Sequence, residues 1–185
     1  IILDSDCILP SHYLKTVDAF LNNKFYHCFG GADYSNIDFT TLQKAINYTM
    51  TSFYTTGGIR GSEKSIQKFE PRSFNMGISK EVFLKTKGFS KIHPGEDPDL
   101  SQRILKENYN TVFIPNAFVY HKRRISLKKF YKQVYKFGLV RPILNNWYPK
   151  AAKITFWFPT LFIFFIIASL FFGIIFNNLF LVPLV

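Results

Sequence analysis

The stretch Ile1-Ile2-Leu3-Asp4-Ser5-Asp6-Cys7 joins an apolar run to two carboxylates that are one residue apart. If residues 1–3 end a buried strand, alternation places Asp4 and Asp6 on the same side, where the strand enters a loop. Open α/β sheets bind ligands at this edge. Two carboxylates there suit a hard divalent cation, but Asp-Ser-Asp is also a common composition for a solvated turn. The triplet alone leaves both interpretations open.

The C-terminal part of the chain is unusually apolar. Hydrophobic residues make up 48% of the 185 residues and aromatic residues 18%, with 22 Phe. Residues 154–176 contain no charged side chain, and at about 1.5 Å per residue they span about 35 Å. This stretch is longer and more uniformly apolar than most buried helices, so it predicts a transmembrane helix. Residues 177–185 turn apolar again after Asn177 and Asn178, which predicts the start of a possible second membrane span.

The net charge of +11 comes from one segment. Residues 122–153 hold ten Lys and Arg and no acidic residue, whereas the remaining 13 basic and 12 acidic residues nearly cancel. This distribution argues against a general nucleic-acid-binding protein. Because positive residues flank membrane spans on the cytoplasmic side, we expect a cell (inner) membrane protein whose preceding domain lies in the cytoplasm. The two cysteines, Cys7 and Cys28, suit a reducing compartment.

Strand and helix patterns alternate ahead of the basic segment, which predicts an α/β fold. Strands are predicted at residues 26–31, 74–78, 111–114 and 117–120, and helices at residues 13–21, 39–54 and 79–88. Residues 57–68 predict a loop, either an active-site lid or a simple connection. The chain starts inside a predicted strand and without Met, so we interpret it as part of a longer protein.

Two helix starts are predicted from capping residues. Asp97 suits an N-cap with Pro98 in the first turn, and Ser126 suits the N-cap of a basic amphipathic helix that ends at Gly138. Next to a membrane span, the second helix most simply lies along anionic lipid headgroups. Calmodulin-binding and nucleic-acid-binding helices share its composition, but the adjacent span favours the membrane.

Together these motifs resemble the second half of a family 2 glycosyltransferase. The matching elements follow in order: Asp4-Ser5-Asp6, then Phe74-Asn75-Met76-Gly77 with a helix and Gly88-Phe89, then Gly95-Glu96-Asp97, the basic helix and the span. The resemblance covers about residues 1–138. It implies a Rossmann-like GT-A domain of α/β class that is truncated at its N-terminus, since the family's upstream half holds the nucleotide base and ribose.

The resemblance divides the chain into four segments. We expect a partial GT-A domain at residues 1–121 and a basic amphipathic interfacial segment at residues 122–153. A transmembrane helix follows at residues 154–176, and the start of a possible second span at residues 177–185.

The resemblance also implies a donor site. The donor would be a UDP-, GDP- or dTDP-sugar, with Mn²⁺ or Mg²⁺ neutralising the charge on the leaving diphosphate. Asp6 matches the family's metal-binding carboxylate, and Asp4 matches the one nearer the nucleotide and its diphosphate. His121 is a further candidate metal ligand, because a late histidine completes the metal shell in several GT-A enzymes, although a lone His is more often structural. Arg123 and Arg124 are candidate diphosphate contacts, or simply begin the membrane-facing belt.

An acceptor side is implied as well. Asp97 matches the family's catalytic base, with Glu96 beside it, and a base and metal on opposite sides of the sugar imply inversion at the anomeric carbon. Considered alone, Asp97 is a good N-cap, and a helix N-terminus would lower its pKa and weaken it as a base. Asn75, Met76 and Gly77 match the family element that lines the acceptor or sugar pocket; without the resemblance they are ordinary strand residues.

One departure from the family concerns the acceptor. Processive polysaccharide synthases carry a Gln-x-x-Arg-Trp motif, and the comparable residues 133–138 read QVYKFG, without the Arg-Trp pair. This favours single-sugar transfer to a membrane-held acceptor, such as a lipid-linked saccharide, in cell-surface polysaccharide or glycan biosynthesis. The expected partners are membrane lipids and this acceptor, with no nucleic acid and no protein partner indicated. The alternative is a non-catalytic, membrane-anchored sugar-binding or scaffold protein with a degenerate transferase domain.

Overall fold

A computed structural model of the protein describes residues 1–52 and 69–175. The chain divides into two compact units, Ile1–Ala151 and Ala152–Val185. The predicted loop at residues 57–68 and the possible second span at residues 177–185 lie outside the described residues.

The first unit contains two small sheets, each built around a central strand. In one sheet, β2 (Cys28–Gly30) pairs antiparallel with β4 (Met76–Ile78) and parallel with β5 (Thr111–Phe113). In the other, β6 (Val119–His121) pairs antiparallel with β1 (Cys7–Ile8) and parallel with β3 (Asp33–Tyr34). Helices connect these strands, so the predicted mixed α/β architecture is confirmed.

Residues 1–3 do not form the predicted buried strand. Ile2 makes an isolated bridge, in which its N–H donates to Met76 O at 2.7 Å and the Met76 N–H donates to Ile2 O at 3.0 Å. Ile1 and Leu3 are exposed. A single bridge still fixes where the following Asp4 leaves the edge of the sheet.

Five helices are formed by the described residues of the first unit. They are α1 (Tyr13–Asn23), α2 (Thr41–Thr51), α3 (Lys80–Lys85), α4 (Glu96–Lys106) and α5 (Leu127–Trp147). The Ser79 side chain accepts a hydrogen bond from the Val82 N–H, and the Ser126 side chain accepts one from the Lys129 N–H, which confirms both predicted caps.

Two predicted helix boundaries are wrong. Gly95, with φ of 128°, occupies the N-cap of α4, so Asp97 lies inside the first turn instead of capping it. The reason is that glycine adopts this backbone conformation without strain, and the helix starts two residues earlier. Gly138 does not end α5, which continues to Trp147 with Pro142 inside, because a lone glycine within a helix costs only about 1 kcal/mol.

The core lies on both faces of the β4-β2-β5 sheet. Alternation along β2 places Phe29 in a cluster with Tyr13 and Val17 of α1, and Cys28 in a second cluster that faces α3 and α4. The second cluster also contains the buried side chains Met76, Val82, Leu100 and Ile104. Helices therefore cover both faces, as expected for an α/β layer arrangement.

The end of α5 is fastened to the start of α4. The Tyr148 hydroxyl, directly after α5, donates to Asp99 Oδ1 at 2.5 Å. Leu144 is buried, and a Cβ at Gly95 would come within 2.6 Å of Val140 Cγ1. The helix that carries the predicted base thus packs closely against the last turns of the basic helix.

The described part of the second unit, residues 152–175, consists mainly of one apolar helix. A short 3₁₀ turn, Ile154–Trp157, leads into α6 (Phe158–Ile175), which has 18 residues and a mean hydropathy of 2.5. By length and composition this helix is sufficient to cross a membrane, and most of its side chains are exposed.

Candidate active site

The predicted metal ligands lie together at the end of the second sheet. The β1–β6 register pairs Cys7 with His121, so the Asp4-Ser5-Asp6 turn comes beside the end of β6. His121 Nε2 is 3.2 Å from Asp6 Oδ1 and 4.0 Å from Asp4 Oδ2. Both carboxylates are partly exposed, whereas the His121 side chain is largely buried. Three residues selected from distant parts of the sequence therefore form one cluster.

The chemistry of this cluster fits a hard divalent cation. One ligand atom each from Asp6, Cys7 and His121 lies within 4.8 Å of the others. Burial raises the pKa of the Cys7 thiol to about 12, with a further contribution from Asp4 and Asp6, and the thiol donates to Phe74 O at 3.4 Å. A protonated thiol is a poor ligand. The two remaining carboxylates suit Mn²⁺ or Mg²⁺, whereas the imidazole is a transition-metal ligand and so favours Mn²⁺ over Mg²⁺.

The predicted base lies partly buried in the first turn of α4. Hydrogen bonds from the Ser73 hydroxyl and backbone N–H reach Asp97, and Arg72 is near enough to lower its pKa. Burial outweighs these effects, so the pKa of Asp97 is raised above the ordinary value of 3.8. Asp97 Oδ1 is buried and has no hydrogen-bond partner among the described residues. The net direction is therefore opposite to the lowering expected from the helix N-terminus alone, because desolvation is the largest effect.

Ser73 connects the two halves of the site. Its hydroxyl lies 3.1 Å from Asp4 Oδ1 and within hydrogen-bonding reach of Asp97, and its single proton is donated to one of the two carboxylates at a time. The turn that contains Ser73 is held by a hydrogen bond from the Asn75 N–H to Arg72 O at 3.0 Å. Sequence reasoning missed this residue, since a serine ahead of a strand carries no signal of its own. The position of Ser73 brings Asp4, the carboxylate on the metal side, and Asp97, the candidate base, next to the same side chain.

An open cleft adjoins these residues. Asp4, Ser73 and Glu96 line it, together with Phe89, Lys91 and His93. His93 Nδ1 is 2.9 Å from Glu96 Oε1, which holds the Glu96 carboxylate at the edge of the cleft. An aromatic ring, a cation and several hydrogen-bonding groups are side chains that can contact the ring and the hydroxyl groups of a sugar.

The predicted sugar-pocket residues are in the interior, so that prediction is wrong. Asn75 is buried; it accepts from the Tyr13 hydroxyl at 2.5 Å and donates to Ala117 O at 2.7 Å. Met76 belongs to the core cluster, and a Cβ at Gly77 would come within 1.9 Å of the Phe29 ring. The alternative interpretation, that these are strand residues, agrees with the structure. Their role is to hold the strand that follows Ser73.

The two arginines after His121 differ. The Arg123 side chain is 5% exposed. Its Nη2 atom is 2.6 Å from Asp33 Oδ2, and its Nε donates a hydrogen bond to Asn47 Oδ1 at 3.0 Å. These contacts are internal, so Arg123 is neither the predicted diphosphate contact nor part of the membrane-facing belt. Arg124 is exposed and remains a candidate for either role.

Asp33 is a second residue that sequence reasoning missed. Its carboxylate is completely buried, with Oδ2 3.5 Å from His121 Nδ1. The available signal was an acidic residue three positions after the apolar strand Cys28–Gly30, because an acidic side chain is rarely buried without a partner.

Comparison with known proteins agrees with this geometry. The model of a family described as glycosyl transferase family group 2 matches residues 1–185. The chain belongs to this family. The match extends through the apolar helix, beyond the resemblance over residues 1–138. A separate search of curated proteins gave no match. The protein is therefore a family 2 glycosyltransferase, a family that generally uses nucleotide-sugar donors and a divalent metal.

The raised pKa of Asp97 leads to a test of stability. Asp97→Asn should raise the melting temperature of the transferase at neutral pH, because it removes a carboxylate whose charged form is disfavoured by burial. Since the folded-state pKa lies above the unfolded one, the charge destabilises the fold above the folded pKa, and this penalty disappears as the pH falls through it. The advantage of Asp97→Asn should therefore shrink on acidification. Thermal unfolding in detergent at several pH values measures it.

Asp38→Asn is the matched control, because Asp38 is exposed. It should follow the wild-type protein at every pH. An Asp97→Asn protein that melts below wild type at neutral pH, or a difference that does not vary with pH, would contradict a raised Asp97 pKa.

Proposed function

We propose that this transferase is metal-dependent and inverting, and moves a sugar from a nucleotide-sugar donor to a membrane-held acceptor. The observation that carries the proposal is the bridge through Ser73, whose hydroxyl contacts both Asp4 on the metal side and Asp97 on the other side. The adjoining open cleft, which Asp4, Ser73 and Glu96 line, would hold the reacting sugar.

On the donor side, Asp4, Asp6 and His121 would hold Mn²⁺ or Mg²⁺. When bound, the ion supplies positive charge that neutralises the departing nucleoside diphosphate. Asp4 is additionally held by the Ser73 hydroxyl, so its carboxylate keeps one orientation. Arg124, exposed directly after this cluster, is available to the diphosphate oxygens.

On the acceptor side, Asp97 would take the proton from the attacking hydroxyl. A base works best when its pKa approaches the working pH, and burial moves Asp97 in that direction. Its unpartnered Oδ1 is the atom that would receive the proton. Glu96, fixed by His93 at the rim of the cleft, would bind the acceptor hydroxyls. Attack from this side, opposite the leaving diphosphate, inverts the anomeric carbon.

The chemistry is tested by release of nucleoside diphosphate from the protein in its membrane, with UDP-, GDP- and dTDP-sugars, with and without Mn²⁺. We expect one donor class to give Mn²⁺-dependent release. Asp6→Ala should abolish the Mn²⁺ dependence, and Asp97→Asn should lower the rate by about 10²–10⁴-fold, the usual contribution of general base catalysis.

Asp38→Ala and Asp38→Asn are the controls, since they change an exposed carboxylate in the same ways. Unchanged release by Asp97→Asn would contradict the role of base. If no donor is turned over when membrane lipid extracts supply the acceptor, the alternative of a non-catalytic scaffold replaces the transferase mechanism.

The acceptor side of the proposal rests on α5 and α6. Apolar side chains at four-residue spacing form an exposed, slowly winding ridge along α5: Leu127, Tyr131, Tyr135, Leu139, Ile143 and Trp147. Exposed Lys128, Lys129, Lys132 and Lys136 flank its first half. Exposed apolar groups beside lysines suit an interfacial helix on anionic headgroups.

We therefore place α5 at the cytoplasmic surface of the inner membrane and α6 across it. The acceptor would be a lipid-linked saccharide presented to the cleft from the membrane surface. Anchoring both reactants to one surface raises the effective concentration of the acceptor.

Substituting Lys128, Lys129, Lys132 and Lys136 by Gln tests this placement. In vesicles of neutral lipid with increasing anionic lipid, we expect wild-type transfer to a lipid-linked acceptor to rise with anionic content. Each lysine near the surface contributes about 1 kcal/mol of attraction, so the fourfold variant should lose most of this dependence. Metal-dependent donor hydrolysis should stay as in wild type.

Substitution of the exposed Lys15, Lys80, Lys85 and Lys106 by Gln removes the same charge elsewhere and should preserve the lipid dependence. If both fourfold variants lose the dependence on anionic lipid equally, the total charge of the protein and not the position of α5 causes that dependence. This result would contradict an interfacial α5.

A further inference from the structure

We propose that Asp33 is a positioning residue of the transferase: its buried carboxylate orients the His121 imidazole so that Nε2 faces the metal site. This inference rests on the proposed metal site formed with Asp4 and Asp6. It concerns an interior residue that does not itself reach the donor.

The two ring nitrogens of His121 point toward different partners. Nε2 is 3.2 Å from Asp6 Oδ1 in the exposed cluster, whereas Nδ1 is 3.5 Å from Asp33 Oδ2 in the interior. The ring itself stacks on Phe74, with 5.4 Å between centroids and 27° between planes. The imidazole is thereby packed on one face and has a carboxylate oxygen near each nitrogen.

This arrangement selects a tautomer. Nδ1 is buried and makes no hydrogen bond within residues 1–52 and 69–175; the Asp33 carboxylate, with Oδ2 at 3.5 Å, is the acceptor toward which its proton would point. A proton on Nδ1 leaves the lone pair on Nε2, which is the atom facing Asp6. Carboxylate–histidine–metal arrangements work in this way, since the outer carboxylate fixes the ring and makes the ligating nitrogen more basic.

The Asp33 carboxylate is itself held in place from the other side. Arg123 Nη2 is 2.6 Å from the same Oδ2 atom. Arg123 Nε donates a hydrogen bond to Asn47, and Gln43 Nε2 donates one to Arg123 O at 2.9 Å. Gln43 and Asn47 belong to α2. A chain of contacts therefore runs from α2 through Arg123 and Asp33 to the imidazole.

A purely structural ion pair is the competing explanation. Such a pair is expected to use both carboxylate oxygens, in the bidentate geometry that Arg prefers. Here Arg123 and His121 both approach Oδ2, and Asp33 Oδ1 has no hydrogen-bond partner in the described part of the chain. The Arg123 contact is thus made through a single oxygen, at 2.6 Å, that also faces the imidazole, and this shared use favours a role in positioning.

The test is a double-mutant cycle on Mn²⁺ affinity, measured by the electron paramagnetic resonance signal of free Mn²⁺ with the purified transferase in detergent. Asp33→Asn should weaken Mn²⁺ binding by about 10–100-fold, the usual effect of losing an outer carboxylate. In a His121→Ala background, Asp33→Asn should cause no further weakening, because its effect passes through the imidazole.

Asn47→Ala is the matched control. It removes a buried contact of the same network but leaves the Asp33–His121 contact, so it should lower the melting temperature without changing Mn²⁺ affinity. If Asp33→Asn does not fold because Arg123 is left uncompensated, the cycle is run with Asp33→Asn combined with Arg123→Gln, which removes both charges.

The outcomes separate the inference from the proposed function. Two results would overturn the positioning role alone. In the first, wild type binds Mn²⁺ and Asp33→Asn leaves the affinity unchanged. In the second, Asp33→Asn weakens Mn²⁺ binding equally with and without His121. If wild type binds no Mn²⁺, or binds it as tightly after Asp6→Ala, the metal site fails and the inference fails with it.

Discussion

The antiparallel pairing of Cys7 with His121 is the interaction on which the rest of the site depends. It joins two short strands that are more than one hundred residues apart in sequence, and it brings the Asp4-Ser5-Asp6 turn to the end of β6. The same central strand also pairs with β3, which delivers Asp33 to the interior side of His121. A three-stranded sheet thus supplies carboxylates to both nitrogens of one imidazole.

The two carboxylates behind the site, Asp33 and Asp97, have different surroundings. Asp33 meets the guanidinium of Arg123 at 2.6 Å, so its charge is compensated where it is removed from water. Asp97 receives only hydrogen bonds from Ser73 and the more distant influence of Arg72, and desolvation raises its pKa. One carboxylate is therefore suited to hold a neighbouring group in place, and the other to accept a proton.

Local sequence signals predicted much of this, because they depend on neighbouring residues. The α/β class and the caps at Ser79 and Ser126 follow from side chains close in sequence. The family order of motifs brought Asp6 and His121 into one hypothesis, and the structure places them side by side. The predictions that failed depend on tertiary contacts. No local sequence signal shows that the Asn75 side chain turns inward to Tyr13 or that Arg123 pairs with Asp33.

The most direct test of the account is the nitrogen coupling of bound Mn²⁺ in pulsed electron paramagnetic resonance. The account predicts that Mn²⁺ bound to the transferase shows coupling to a histidine ¹⁴N nucleus, and that His121→Ala eliminates the coupling while weaker binding through Asp4 and Asp6 persists. Bound Mn²⁺ without nitrogen coupling in the wild-type protein, or coupling that survives His121→Ala, would contradict a metal site built on the pairing of β1 with β6.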